Sequence, residues 1–153
     1  MADPLILVDA DACPVKDEVY KVALRHKTPV TLIANSFMRT PPHELITLKV
    51  VGSGFDEADD HVAELSGPHT VAITADILLA ERCLKAGALV IGPNGKPFTE
   101  ASIGGAIATR AIMQDLRDTV VGGPTGGPAP FSKEDRSRFL SALDQALVKL
   151  KRA

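Results

Sequence analysis

The stretch Leu5-Ile6-Leu7-Val8-Asp9-Ala10-Asp11-Ala12-Cys13-Pro14-Val15 decides how the chain is read. Four consecutive aliphatic residues match a strand covered on both faces, as in a parallel sheet, and are too few for a buried helix. They run into two acids and then into a proline suited to the first turn of a helix. Outward from this segment the alternation repeats. Strands are predicted at Leu5 to Val8, Val30 to Ala34, Ile46 to Val51, Thr70 to Thr74 and Leu89 to Ile91. Helices are predicted at Pro14 to Arg25, Asp56 to Leu65, Asp76 to Lys85, Thr99 to Arg117 and Lys133 to Leu150. The third of these should stop at Ala86-Gly87, and the last should start behind Ser132 as N-cap. This order predicts a three-layer α/β fold, a mainly parallel sheet flanked by helices, in one domain over residues 1–153. A Gly/Pro-rich loop at 122–130 separates the last two helices.

Composition narrows the function classes. The chain has 153 residues, 45% hydrophobic and 24% charged, with 17 Lys+Arg against 19 Asp+Glu. A chain of this size can bury a sufficient core without disulfides or structural metal. Cys13 and Cys83 form no CxxC pair, so a reducing cytoplasm is the expected location and Cys13 reads as a small buried side chain. The short apolar run near the N-terminus fits neither a signal peptide nor a membrane span. Balanced charge and 4% aromatics argue against a nucleic-acid coat protein, and favour contact with backbone over base stacking if nucleic acid is bound. Oligomeric state is open between monomer and homodimer.

Open α/β sheets place their sites just past the carboxyl ends of the strands. Here those positions are acidic. The first strand leads to Asp9 and Asp11, whose carboxylates share a side if the extended pleat continues. The fourth leads through Thr74 to Asp76. The third leads to Asp56, Asp59 and Asp60, spaced i, i+3, i+4 along a helix whose apolar stripe is Phe55, Ala58, Val62 and Leu65. Asp59 lies at the edge of that stripe and is expected to point inward. The blander role for this segment is helix capping and dipole compensation. Three acidic strand ends together favour a shared site, because converging carboxylates repel unless a cation joins them. Oxygen-only ligands suit Mg²⁺ or Mn²⁺.

Several ordered motifs together resemble the YaiI/YqxD family of bacterial proteins. They are Val8-Asp9-Ala10-Asp11-Ala12-Cys13-Pro14-Val15, Ala34-Asn35-Ser36, Gly54-Phe55-Asp56-Glu57-Ala58-Asp59-Asp60, Thr74-Ala75-Asp76-Ile77-Leu78-Leu79-Ala80 and Thr125-Gly126-Gly127-Pro128-Ala129-Pro130-Phe131. The acidic pattern is in turn similar to the PIN-like nuclease superfamily, whose acids bind divalent metal for phosphodiester cleavage. On that resemblance Asp9 matches the strand-end acid, Asp59 the helix acid, and Thr74-Ala75-Asp76 the later Thr/Ser-x-Asp element. The implied activity is hydrolysis of RNA by a metal-activated water. Asp9, Asp59 and Asp76 are the expected catalytic ligands, and Asp11, Asp56 and Asp60 hold a second ion or waters. Asn35, Ser36, Thr74 and Lys16 are candidates for substrate contact.

Two alternatives stand beside this one. Asp9-Ala10-Asp11-Ala12 also looks like the opening motif of haloacid dehalogenase-type phosphatases, with Asp9 as nucleophile, although Cys13-Pro14 departs from that motif. The other alternative is a non-catalytic RNA-binding protein on a PIN-like scaffold. Asn35 and Ser36 equally suit a turn, and Lys16 a solvated helix face. Arg110, Arg117, Arg136 and Arg138 hold phosphates only if they converge on the acids; ordinary helix-face charges are the simpler expectation. The four histidines show no metal-ligand spacing. Setting the six site acids aside leaves a net basic scaffold.

Overall fold

The computed structural model describes residues 3–52, 57–104 and 132–152. Its sheet has six strands in the order β3-β2-β1-β4-β5-β6. They are β1 (Leu5–Asp9), β2 (Val30–Ala34), β3 (Ile46–Val50), β4 (Thr70–Ile73), β5 (Leu89–Ile91) and β6 (Pro97–Phe98). The first five are mutually parallel, and β6 pairs antiparallel with β5. The helices are α1 (Lys16–His26), α2 (Glu57–Leu65), α3 (Ile77–Lys85), a segment α4 described at residues 100–104, and α5 (Lys133–Arg152). A mainly parallel sheet flanked by helices is thus confirmed, and the five predicted strands lie where expected to within one residue at each end. No described helix is long and apolar enough to cross a membrane.

The chain leaves β1 in one direction, to β2 and β3, and returns past it to β4 and β5. Crossovers of one hand running opposite ways across a sheet place their helices on opposite faces. The two cores agree. Ile6, Val8, Leu32, Val71 and Ile73 pack under α1 and α5, while Leu7, Ile33, Ala72 and Val90 pack under α2 and α3. The predicted stripe Val15, Val19, Val22 and Ala23 is wholly buried. In α2 the expected stripe is shorter, since Ala58 and Val62 are buried but Leu65 is 40% exposed; Phe55 lies outside the described residues.

Helix ends follow local chemistry. Asp76 is the N-cap of α3, not its first residue, and accepts from Leu78 N and Leu79 N. Gly87 follows the end of α3 at φ +96, the left-handed conformation anticipated there. At α5, Ser132 N donates to Asp135 Oδ2 at 3.0 Å and Asp135 N donates to Ser132 Oγ at 3.1 Å. This is a reciprocal capping box with Asp in the usual Glu position. The Ser132 amide bond holds the Asp135 carboxyl below its ordinary range. Ser132→Ala removes the hydroxyl that accepts from Asp135 N and should lower stability by about 1 kcal/mol, measurable as a shift in urea midpoint at unchanged m-value.

α5 is tied to α1 along its length. Arg136 donates to Pro14 O and to Glu18 Oε1 at one end, and His26 Nε2 meets Asp144 Oδ1 at 2.6 Å near the other. Arg138 bonds Asn94 O and Asp135. These bonds give Arg136 a part in the α1/α5 packing and Arg138 one in holding the β5-β6 turn. Arg110, Arg117 and the loop 122–130 lie outside the described residues.

Candidate functional site

The strand order reverses between β2-β1 and β4-β5, and open α/β sheets leave a crevice at that point outside the strands' carboxyl ends. β1 ends there with Asp9 and β4 leads there to Thr74 and Asp76. The pleat directs Leu7 to the α2/α3 face, and Asp9 two residues on shares that direction. Thr74, buried at 2% exposure, donates from Oγ1 to Asp9 Oδ2 at 2.9 Å. Asp76 N in turn donates to Thr74 Oγ1 at 3.0 Å, while Asp76 Oδ1 accepts from Leu78 N at 2.9 Å and from Leu79 N at 3.3 Å. A continuous run of hydrogen bonds therefore fixes the two strand ends to the start of α3. Each carboxylate keeps a second oxygen outside this run.

The electrostatics are those of acids crowded together. Burial pushes the Asp9 carboxyl above its ordinary value, the Thr74 bond offsets part of this, and the charges of Asp11 and Asp76 push it up further. On the α2/α3 face, burial likewise raises the Cys83 thiol; Ser66 and Arg82 oppose that rise, and Asp9 and Asp59 add to it.

The comparisons with known sequences agree with the motifs. The family model described as "Uncharacterized BCR, YaiI/YqxD family" matches residues 7–149. The chain belongs to the YaiI/YqxD family. A UPF0178 protein of Sphingopyxis alaskensis is 62% identical over 152 residues, covering 99% of this chain and 98% of the relative. A UPF0178 protein of Rhodopseudomonas palustris is 60% identical, covering 99% and 96%, and one of Bradyrhizobium diazoefficiens is 57% identical, covering 96% and 87%. A solved structure described as a study of chuY from E. coli covers 99% of this chain and 91% of that one at 16% identity. Its TM-score is 0.44, too slight a likeness to bear on fold or activity.

Within this YaiI/YqxD chain the other expected site residues divide. Asp11 does not share a side with Asp9 through the pleat, because β1 ends at Asp9 and Ala10–Ala12 form a single 3-10 turn. That turn carries the Asp11 carboxylate to Asn35 N, which donates to Oδ2 at 2.9 Å and to Oδ1 at 3.2 Å. Asn35 thus uses its backbone to join the end of β2 to the end of β1, and Ser36 beside it is exposed. Lys16 Nζ donates to Ala10 O at 3.3 Å and lies 3.7 Å from Met38 Sδ, so it braces the same turn from α1. Asp59 is half-buried, in keeping with its expected inward direction. Asp60 is exposed and pairs with Arg82 at 2.9 Å, away from this group. Asp56 lies outside the described residues. Among the described residues no three His, Cys, Asp or Glu side chains stand ready to hold one metal ion. Cys13 is buried, as expected of a small core side chain, and burial raises its thiol.

Proposed function

We propose that this chain is a divalent-metal-dependent ribonuclease with a PIN-like site, in which Asp9, Asp59 and Asp76 hold Mg²⁺ or Mn²⁺. One observation carries the reading: a strand-end carboxylate, Asp9, stands half-buried at the reversal point of the sheet, bonded to Thr74 and linked through it to Asp76, and burial first, then the charges of Asp11 and Asp76, push it above its ordinary value. Carboxylates gathered in this way repel unless a counter-charge joins them, and perturbed acids at a strand-end crevice mark candidate sites. The donor set fits a hard cation. Mg²⁺ commonly takes only one or two carboxylates and keeps its remaining waters, so a three-residue cage is not required.

When bound, the ion supplies an activated water and neutralises charge on the phosphoryl group. The chain's own residues do the positioning. Thr74 fixes Asp9 Oδ2 and leaves Oδ1 for a ligand or its water, and the first turn of α3 fixes Asp76 Oδ1 in the same way. Asp11 and Asn35 hold the neighbouring turn closed. Lys16, on the α1 side of that turn, can meet a phosphate oxygen. Asp60, paired with Arg82 away from the strand ends, has no part in this reading.

Incubation of single-stranded and structured RNAs with Mn²⁺ or Mg²⁺ tests it. The wild-type chain should cleave, and Asp9→Asn and Asp76→Asn should not. Equal residual cleavage by all three proteins would overturn the proposal. Thr74 is a positioning residue on this reading. Thr74→Val should weaken Mn²⁺ affinity by about 10- to 100-fold, measured calorimetrically, and Thr74→Ser, which keeps the hydroxyl, should restore most of it. Equal Mn²⁺ affinity in wild type and Thr74→Val would remove that role.

A further inference from the structure

We propose that Phe37 is a stacking platform for one base of a single-stranded RNA whose phosphate lies at Asp9; the inference rests on the nuclease reading above and names the substrate form. Of the four aromatic residues among those described, Tyr20 and Phe139 are buried and Phe98 is half-buried, whereas Phe37 is 82% exposed. A single exposed apolar side chain is ordinary by itself. Its placement is what carries meaning.

Phe37 sits in the connection that leaves β2, and both sides of it are anchored. Two residues before it, Asn35 N is bound to the Asp11 carboxylate. Directly after it, Met38 packs against the α1/α5 core and its sulfur meets Lys16 Nζ. The ring is therefore presented outward by a backbone held on both sides. β2 is the neighbour of β1, and adjacent strands lie about 4.8 Å apart, so the segment that carries the ring leaves the carboxyl edge of the sheet one strand over from Asp9. Lys16 Nζ joins the two segments, bonded to Ala10 O next to Asp9 and meeting Met38 Sδ next to Phe37.

A flat apolar face, a cation that links its segment to the turn after β1, and the carboxylate proposed to hold metal at the head of that turn suit the base, the linking phosphate and the reacting phosphate of one extended strand. A paired base is stacked within its helix and cannot offer its face to the ring, which restricts the platform to unpaired RNA. Stacking accepts every base, so the platform confers no sequence preference.

The chain contains no Trp, so Phe37→Trp introduces a single emitter at the platform. With Ca²⁺ in place of Mg²⁺ to suppress turnover, short oligouridylate should quench that emission saturably, and a ribose-phosphate polymer lacking bases should not. Phe37→Ala should weaken oligouridylate binding by about tenfold while leaving its salt dependence unchanged, since no phosphate contact is lost, and Phe37→Tyr should bind as wild type does. Absence of quenching, or equal affinity in wild type and Phe37→Ala, overturns the platform. So does an emission shift that tracks protein concentration without RNA, which would assign the ring to contact between copies. If RNA is cleaved with equal KM by wild type and Phe37→Ala, the platform falls and the nuclease reading stands. If base-dependent quenching occurs and no RNA is cleaved with Mn²⁺, the nuclease reading falls and the platform stands.

Discussion

Asp9→Asn should lower metal-dependent RNA cleavage by more than about a hundredfold while the protein stays folded. Loss of an outer hydrogen-bonding partner alone costs a metal site about 10- to 100-fold, and Asp9 is proposed as a direct ligand. The substitution is nearly isosteric, and its amide oxygen can still accept from Thr74 Oγ1, which bonds Asp9 Oδ2 at 2.9 Å. What disappears is the charge. In the metal-free protein that change should be neutral or stabilising, because it removes a partly desolvated carboxylate that Asp11 and Asp76 repel.

Mn²⁺ supplies a readout independent of turnover. A ligand bound only by the folded state stabilises it by about 2.7 kcal/mol at one hundred times its Kd, so wild-type protein should melt higher with Mn²⁺ present. Asp9→Asn should lose most of that rise. A variant that cleaves like wild type, or gains as much from Mn²⁺, would remove Asp9 from the centre of the site. Unchanged cleavage together with a fluoride-mimic adduct on Asp9 of the wild type would move the reading to phosphatase chemistry, in which that carboxylate is the nucleophile.

The acids at the sheet edge were legible because a buried parallel strand must end, and the residues just past its carboxyl end open onto the crevice. Leu5 to Val8 and Val71 to Ile73 carry that signal without knowledge of their neighbours. Asp11 was not placed correctly, because strand periodicity stops with the strand; the 3-10 turn at Ala10–Ala12 depends on Asn35, 24 residues away, as partner. The i, i+3, i+4 spacing in α2 separated Asp59 from Asp60 by face. It carried no information on Arg82, the α3 residue that pairs with Asp60. The two-residue strand Pro97–Phe98 was missed for a similar reason. A strand that short, starting with Pro, exists through its antiparallel pairing with Val90 and Ile91 and has no pattern of its own. Low aromatic content pointed away from base stacking, yet composition is blind to exposure, and the ring of Phe37 stands in water on the connection that leaves β2.

The converse of Asp9→Asn is a substitution that spares the site and removes the support beneath it. Phe139→Ala should cost about 3–5 kcal/mol, a large share of the roughly 5–15 kcal/mol available to a folded chain. Phe139 is fully buried, in a row with Leu143 and Leu147 that presses α5 onto the sheet beside α1. Relaxation into the vacated space is opposed from the β5-β6 turn. Gly95 there has φ +83 and approaches so closely that a Cβ on it would lie 2.5 Å from the backbone of Arg138 and Phe139. Backbones packed so closely that no Cβ fits between them leave α5 little room to settle toward the turn, so a cavity should persist. At about 2–4 °C per kcal/mol for a chain of this size, the melting temperature should fall by roughly 10 °C or more. Ser141→Ala, at an exposed position of the same helix, should change stability by less than about 0.5 kcal/mol. Below its melting range, Phe139→Ala should retain Mn²⁺ binding, because Asp9, Thr74 and Asp76 are joined by bonds that do not involve α5. A loss under about 1 kcal/mol in urea titration would mean that α5 does not depend on this ring, and that the capping box at Ser132 and the Arg136 and His26 contacts hold it instead.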